Sequence, residues 1–551
     1  MTIPVTNTSS WWMDDEIRPQ VGDHALRTAL MRVNQPVYLV DLDGRSAVVQ
    51  KGCLRISSKR PFGSNVYPLM AYVPPLHPEN LGDPLFKHAF NLRYAYIAGA
   101  MANAITSVQM VAETGHSGML GFFGAAGLLP GEIETAIEAL QQQLGDKPFG
   151  FNLIHNPYNP ELEAAVVDLY LRRGIRLISA SAFLDLTLPL VYYRVKGLSR
   201  DESGRVECPN KVIAKVSRVE VARKFLSPPP RKLVSQLVDR RLITTDEAAL
   251  AGSIPMADHL TAEADSGGHT DNRPALTLLP TMLALRDEMV ETHAYSNAIC
   301  VGLGGGIATP ASTNAAFAMG AAFVLTGTIN QSCVEAGTSA TVREMLAEAG
   351  QADVIMAPSA DMFELGVKVQ VLKRGTMFPL RAAKLYELYT VYDRYEDIPA
   401  KQRQILERDV FRNSFEQQWE QTRLFFSQRE PSQILTAEKD PKHKMALVFR
   451  SYLGQSSKWA KSGDAARKID YQIWCGPAIG AFNQWVKGSC LEKPEQRRTV
   501  AVGLNLLFGA AVETRINWLR CQGIHLPNRI ARFSPLPFAE LLDYLEKPPP
   551  L

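Results

Sequence analysis

Two glycine clusters carry the most chemical information in this chain. The first, Val301-Gly302-Leu303-Gly304-Gly305-Gly306-Ile307-Ala308-Thr309-Pro310, follows an apolar run and precedes a helical pattern over Ser312–Met319. Consecutive glycines at a strand end leave backbone N–H groups uncovered by Cβ atoms, so a phosphate can lie against them. The second, Thr326-Gly327-Thr328, ends the apolar run Ala322–Leu325 one short helical stretch later. Spaced as neighbouring βα units, the two can converge on one phosphate; each taken alone is equally a tight turn that uses glycine for steric reasons. Gly302-x-Gly304-x-Gly306 lacks the G-x-G-x-x-G spacing of a dinucleotide fingerprint.

A third constellation, Thr261-Ala262-Glu263-Ala264-Asp265-Ser266-Gly267-Gly268-His269-Thr270-Asp271, follows another apolar run. Carboxylates, a Gly-Gly pair and a histidine at the C-terminal end of a strand belong on the catalytic face of a barrel. The glycines would let backbone approach a planar ligand, and His269 would face the same pocket as the phosphate loops. A structural turn with a surface histidine is the competing reading. Asn152, ending the run Pro148–Leu153, is either a donor to a ring or a turn cap. Gly99-Ala100-Met101-Ala102-Asn103 suits the backing of a flat ring and equally suits core packing.

These residues need a scaffold that brings successive loops to one rim. Between about 89 and 340, eight short apolar runs alternate with helical patterns: Tyr94–Ala98, Met119–Phe123, Phe149–Ile154, Leu177–Ser179, Val212–Val216, His259–Ala262, Ala298–Leu303 and Ala322–Leu325. Helices such as Glu132–Leu144 and Glu161–Arg173 lie between them. Alternating βα units predict a parallel sheet, and eight of them over roughly 250 residues favour a closed (β/α)8 TIM barrel over an open doubly wound sheet. Residues 1–88 form a small N-terminal α+β region, with a hairpin at Val37–Asp41, Asp43-Gly44 and Ala47–Gln50 and a turn-rich linker from Pro74 to Pro84. Over 341–551 the strand signal fades and helices are expected at Phe378–Tyr395, Pro399–Phe415, Asp464–Trp474 and Val500–Arg520. This mostly helical C-terminal region ends in Pro548-Pro549-Pro550.

The 551 residues are 46% apolar and 21% charged, with 59 basic against 56 acidic side chains, a net of +3. That balance fits a soluble globular protein, with no basic stripe for nucleic acid and no polybasic run for a membrane. The seven cysteines include no C-x2-C spacing, so reduced thiols are expected and neither a disulfide framework nor a metal site. Trp11, Trp12, Asp14, Asp15 and Glu16 stand where a signal peptide would need a basic start and an apolar run. The early apolar window Tyr94–Ala112 is interrupted by polar residues and reads as strand and helix rather than a membrane span. A cytoplasmic protein is expected.

The segments Gly99–Ala102, Gly115–Gly121, Pro148–Leu153, Asp265–His269, Gly305–Ala308 and Gly327-Thr328, in this order, resemble the nitronate monooxygenase-like flavin barrels. The runs Glu263–Pro274, Gly304–Gln331, Asp361–Gly375 and Trp474–Phe482 look more closely like the PfaD family, enoyl reductases that work in trans with polyunsaturated fatty acid and polyketide synthases. The resemblance implies FMN and NADPH as cofactors. It implies that Gly304, Gly305, Gly306, Gly327 and Thr328 hold the FMN phosphate. Ala100, Met101, Ala102 and Asn152 would meet the isoalloxazine ring, with Glu263, Gly267 and Gly268 close by. His269 matches the histidine of a Glu-Ala-Gly-Gly-His stretch whose first two positions read Asp265-Ser266 here, which leaves the role of Asp265 open. Lys215, where the relatives have an apolar residue, would face flavin or substrate.

The implied reaction is reduction of the 2,3 double bond of an enoyl thioester on an acyl carrier protein, with His269 donating to the thioester oxygen, orienting the nicotinamide or relaying the proton. Lys368, Lys373, Arg374 and Arg381 are candidates for a phosphate of the carrier arm or of NADPH, or are a solvated face. Acyl carrier protein domains of a synthase are the expected partners, and a homodimer is expected by analogy with barrel enzymes. The rival is a nitronate monooxygenase-type flavin oxidase, which shares barrel and FMN but needs no nicotinamide. A non-catalytic scaffold within a synthase complex is a further alternative.

Overall fold

A computed structural model describes residues 9–155 and 159–546, without the side chains of residues 428 and 429. The prolines at 548–550 lie outside the described residues. Eight parallel strands close a barrel: Tyr96–Ala98, Leu120–Phe123, Gly150–Ile154, Leu177–Ser181, Lys211–Val216, His259–Glu263, Cys300–Gly304 and Val324–Thr326, numbered first to eighth below. All eight apolar runs become barrel strands, because each is short, rich in residues that pack on both faces, and cut by a turn. Intervening helices carry their own punctuation. Pro130–Leu144 begins at a proline, with Glu132 accepting from the Leu129 amide at 2.8 Å, and stops at Gly145 with φ 55°. Pro160–Arg172 is capped by Asn159, which accepts from the Leu162 amide at 3.0 Å.

The stretch read as a linker leads directly into the barrel floor. Asp83 caps a helix, Pro84–Ala89, whose Phe86 is fully buried and stacks on Phe323 with centroids 4.1 Å apart. Phe86 and Phe90 both meet the edge of His259, at the start of the sixth strand. The N-terminal end of the barrel is thus closed with aromatic side chains, which leaves the opposite rim for chemistry.

Residues 10–73 form a six-stranded antiparallel sheet that includes the expected hairpin, Val37–Leu42 with Arg45–Val49. Beyond the barrel the strand signal had faded, yet two further strands form. Val354–Pro358 and Lys368–Leu372 make an antiparallel pair, and the second also pairs with Gly268-His269. A hydrophobic core separate from that of the barrel gathers Phe363, Phe378, Phe411, Phe449 and their neighbours under the helices Phe378–Val391, Phe415–Arg429 and Pro441–Ser462.

The helix expected over Pro399–Phe415 is broken: Ala400–Ile405 runs into a π-helical turn, Leu406–Phe411, that ends at Arg412 with φ 60°. The helix expected over Asp464–Trp474 is only a 3-10 segment, Ala465–Asp470, after which the chain runs extended to bridge Trp474 to Val371. Among the described residues, one helix, Thr499–Cys521, is long and apolar enough to cross a membrane; most of its apolar stretch is buried inside the protein. It packs on the helix Pro310–Ala318, with Gly509 so close that a Cβ there would lie 2.5 Å from Pro310.

Candidate active site

Register brings the glycine clusters together. Leu303 pairs with Val324 and Gly304 with Leu325, so the loops after the seventh and eighth strands leave the barrel side by side. Gly305 and Gly306 have φ of 86° and 75°, the left-handed region that glycine alone enters without strain. A Cβ on Gly305 would lie 2.7 Å from the Ala264 carbonyl carbon, whereas one on Gly306 would meet nothing within 4 Å. At Gly327 the nearest atom to an added Cβ is Met101 Cγ, at 3.9 Å. The two loops therefore leave an opening lined by bare backbone, as an anion needs. The Thr328 hydroxyl accepts from the Gly476 amide at 3.2 Å, which ties this rim to the C-terminal segment.

The loop after the first strand is rigidly held. Thr106 Oγ1 donates to the Gly99 carbonyl at 2.6 Å and accepts from the Met101 amide at 2.9 Å. The Met101 carbonyl lies so close to Gly124 that any Cβ there would fall 1.7 Å away. Ala100, Met101 and Ala102 are half-buried at the rim. Asn152 is buried in the third strand, and its Nδ2 donates to the Ser179 carbonyl at 3.1 Å and Ser181 Oγ at 3.2 Å. In this structure its amide nitrogen is engaged by the fourth strand. The neighbouring strand offers two acceptors at hydrogen-bond range.

Lys215 and Glu263 leave the fifth and sixth strands on one face and form an ion pair of 2.7 Å with both side chains mostly shielded. Thr261, which is paired with Lys215 in the ladder, has a buried hydroxyl without a hydrogen-bond partner among the described residues. Gly267 fits against the backbone of Cys475, 2.7 Å from where a Cβ would stand. Gly268 has φ 80° and open space around it. The open role of Asp265 is structural: it accepts from Asn272 Nδ2 and Gln370 Nε2, both at 2.8 Å.

His269 is held from outside the barrel. Its Nε2 meets Asp361 Oδ2 at 2.9 Å. Burial alone would depress the imidazole, but the hydrogen bond and charge of Asp361, helped by Glu263, hold it above the ordinary histidine value. The same bond holds the Asp361 carboxyl below its usual range in spite of burial. Asp361 was visible in the sequence only as part of a run without an assigned role; its partner lies 92 positions away, and spacing carries no signal over that distance.

Of the distal basic candidates, Arg381 is committed to the buried carboxylate of Asp470 and is not free for a phosphate. Arg374 lies 3.8 Å from Asp353 and 3.9 Å from Glu348. Lys368 and Lys373 are exposed.

The residues of the cradle fit the phosphate end of FMN. Two glycines in left-handed conformation, an opening that a Cβ at Gly306 would fill, and an orphaned hydroxyl at Thr261 are features a phosphorylated planar ligand would satisfy.

The nitronate monooxygenase family profile matches residues 84–387, more than half the chain. The profile of the inserted helical domain of [acyl-carrier-protein] S-malonyltransferase matches residues 392–471. Polyketide biosynthesis protein PksE of Bacillus subtilis is 48% identical over 435 residues, 79% of this chain and 56% of PksE. A polyunsaturated fatty acid synthase polypeptide of Thraustochytrium is 42% identical over 502 residues, 90% of this chain and 33% of that polypeptide. The chain thus spans between a third and little more than half of these relatives. The crystal structure of the enoyl reductase domain of MlnA, from the macrolactin cluster of Bacillus amyloliquefaciens, superposes with a TM-score of 0.76 at 41% identity, covering 80% of this chain and 99% of that domain. With barrel, rim and relatives in agreement, the chain belongs to the nitronate monooxygenase family and, within it, to the PfaD-like enoyl reductases.

Proposed function

We propose that this protein is a cytoplasmic FMN-dependent reductase that uses NADPH to saturate the 2,3 double bond of enoyl thioesters carried on acyl carrier protein domains of a polyunsaturated fatty acid or polyketide synthase. The observation that carries this reading is the convergence of the Gly305-Gly306 and Gly327-Thr328 loops on the rim where His269 is held by Asp361. The names of the relatives, an enoyl reductase domain and a fatty acid synthase polypeptide, support the substrate class.

Gly304, Gly305, Gly306, Gly327 and Thr328 would hold the phosphate, and Ala100, Met101, Ala102, Asn152, Gly267 and Gly268 would flank the ring. When bound, FMN supplies the path by which hydride passes from NADPH to the β-carbon of the enoyl thioester. This chain supplies the rest. His269, whose charged form Asp361 favours, donates to the thioester oxygen where negative charge develops, and its proton can pass to the α-carbon. Lys215, neutralised by Glu263, gives a second donor at the rim without leaving the site a net cation. The aromatic floor around Phe86 closes the far end of the barrel to water.

The test is optical. The purified protein should show a flavin spectrum that NADPH bleaches anaerobically and that an enoyl thioester restores. Bleaching by a nitroalkane in place of NADPH would turn the reading to an oxidase. A protein that stays colourless with added FMN would reduce it to a scaffold.

A further inference from the structure

The histidine at the rim belongs to the barrel, but the group that fixes its charge does not. Asp361 sits in the loop between Val354–Pro358 and Lys368–Leu372, a hairpin built outside the eight βα units. Two sets of contacts fix that loop. On the barrel side, Lys368–Leu372 continues into a ladder with Gly268-His269, and Gln370 Nε2 donates to the Ser266 carbonyl at 2.8 Å. On the helical side, Phe363 is fully buried in the second core, and Arg450 of the helix Pro441–Ser462 donates to the Ala360 carbonyl at 2.9 Å and to Glu364 at 3.1 Å. The loop is therefore a fixed strut between the helical core and the catalytic rim.

From this geometry we infer that Asp361 is a positioning residue, through which the C-terminal helical core sets the orientation and charge of His269. The charged groups facing the imidazole are Asp361 and Glu263, which favour its protonation, and Lys215, which opposes it. Glu263 is already paired with Lys215 at 2.7 Å, so Asp361 is the carboxylate whose charge is left for the histidine. Without it, the carboxylate bonded to the ring is gone, burial and Lys215 are opposed only by the already paired Glu263, and the balance moves towards the neutral imidazole. The inference takes its catalytic meaning from the proposed role of His269 as donor, but the proton equilibrium itself does not depend on that role.

The test uses the full chain with isotope-labelled histidine. The His269 resonance is identified by its loss in His269→Ala and titrated by NMR in the wild type and in Asp361→Asn. The expected result is a wild-type midpoint above that of an ordinary histidine and a midpoint below it in Asp361→Asn, with Asp361→Glu between. In turnover, Asp361→Asn should lower kcat on the order of tenfold at mildly alkaline pH, with KM for the enoyl thioester little changed and the alkaline limb moved to lower pH. Equal midpoints in the two proteins would overturn the inference. If Asp361→Asn does not fold, a wild-type midpoint at or below the ordinary histidine value overturns it alone. Full turnover by His269→Ala would instead remove the proposed role of the histidine while leaving its coupling to Asp361 intact.

Discussion

At the scale of single residues, Gly305 and Gly306 look alike in sequence and are under different demands. Both have φ that costs an L side chain about 1–2 kcal/mol. Only Gly305 also faces the Ala264 carbonyl, 2.7 Å from its missing Cβ. Gly305→Ala should therefore destabilise the protein itself, lowering the thermal midpoint with or without FMN. Gly306→Ala has room for its methyl in the protein alone, and the methyl would occupy the opening proposed for the phosphate. It should fold with a modest loss of stability and bind FMN at least roughly tenfold more weakly. Thermal melts of the apo-proteins, beside fluorescence titration with FMN, separate the two; equal FMN affinity in Gly306→Ala and wild type would remove Gly306 from the cradle.

At the scale of elements, the barrel floor has a predictable response to acid. His259 is fully enclosed by the helix Pro84–Ala89 and the strand ends, and its Nδ1 accepts from the Cys300 amide at 3.1 Å. Burial drives its pKa down from 6.5 to about 4. A histidine depressed on folding takes up its proton more readily in the unfolded chain, so its neutral state favours the fold fully above pH 6.5, and that contribution fades as pH falls towards 4. The loss over that window is at most about 3 kcal/mol. His259→Gln keeps an acceptor and has no proton to take up, so the drop in denaturation midpoint between pH 7 and 4.5 should shrink in that variant; an unchanged drop would place the acid sensitivity elsewhere. Elements of this kind differ in how far the sequence reveals them. The eight barrel strands are legible because each is a local apolar run with glycine or a polar residue at its end. The hairpin that carries Asp361 is not: Lys368–Leu372 pairs locally with Val354–Pro358, but its placement beside the rim comes from pairing with Gly268-His269 about a hundred positions earlier. The same holds for the Asp464–Trp474 segment, whose polar start imitates a helix while its end is drawn out to pair with Val371.

At the scale of the whole molecule, the two ends of the described chain are joined by one buried cation. Arg515, in the helix Thr499–Cys521, is fully buried and donates from Nη1 to the carbonyls of Leu30 at 2.6 Å and Arg32 at 2.9 Å, and from Nη2 to that of Gln35 at 2.5 Å. Burial lowers its pKa to about 10, still high enough to leave it charged near neutrality. These carbonyls belong to the last turn of the helix Asp23–Met31 and the residues just after it, where helix-end oxygens run short of partners, although that of Arg32 also accepts from the Gln35 amide at 3.0 Å. The long helix also packs against Pro310–Ala318, which follows the proposed phosphate loop. Arg515 thus fastens the N-terminal region onto the helix that backs the site, without touching the site. Arg515→Met keeps much of the volume and removes every guanidinium donor, leaving the Arg32 carbonyl with the Gln35 amide at 3.0 Å and withdrawing the arginine from those of Leu30 and Gln35, at a cost of roughly 2–4 kcal/mol. Since the N-terminal sheet has its own packing around Trp12, the loss should show first as release of that region rather than as collapse of the barrel. Hydrogen exchange would then rise across residues 23–35 in Arg515→Met, while the barrel strands stay protected and any bound flavin keeps its spectrum at low temperature. Uniform loss of protection, with the flavin released in step, would show that the N-terminal region and the barrel unfold as one unit.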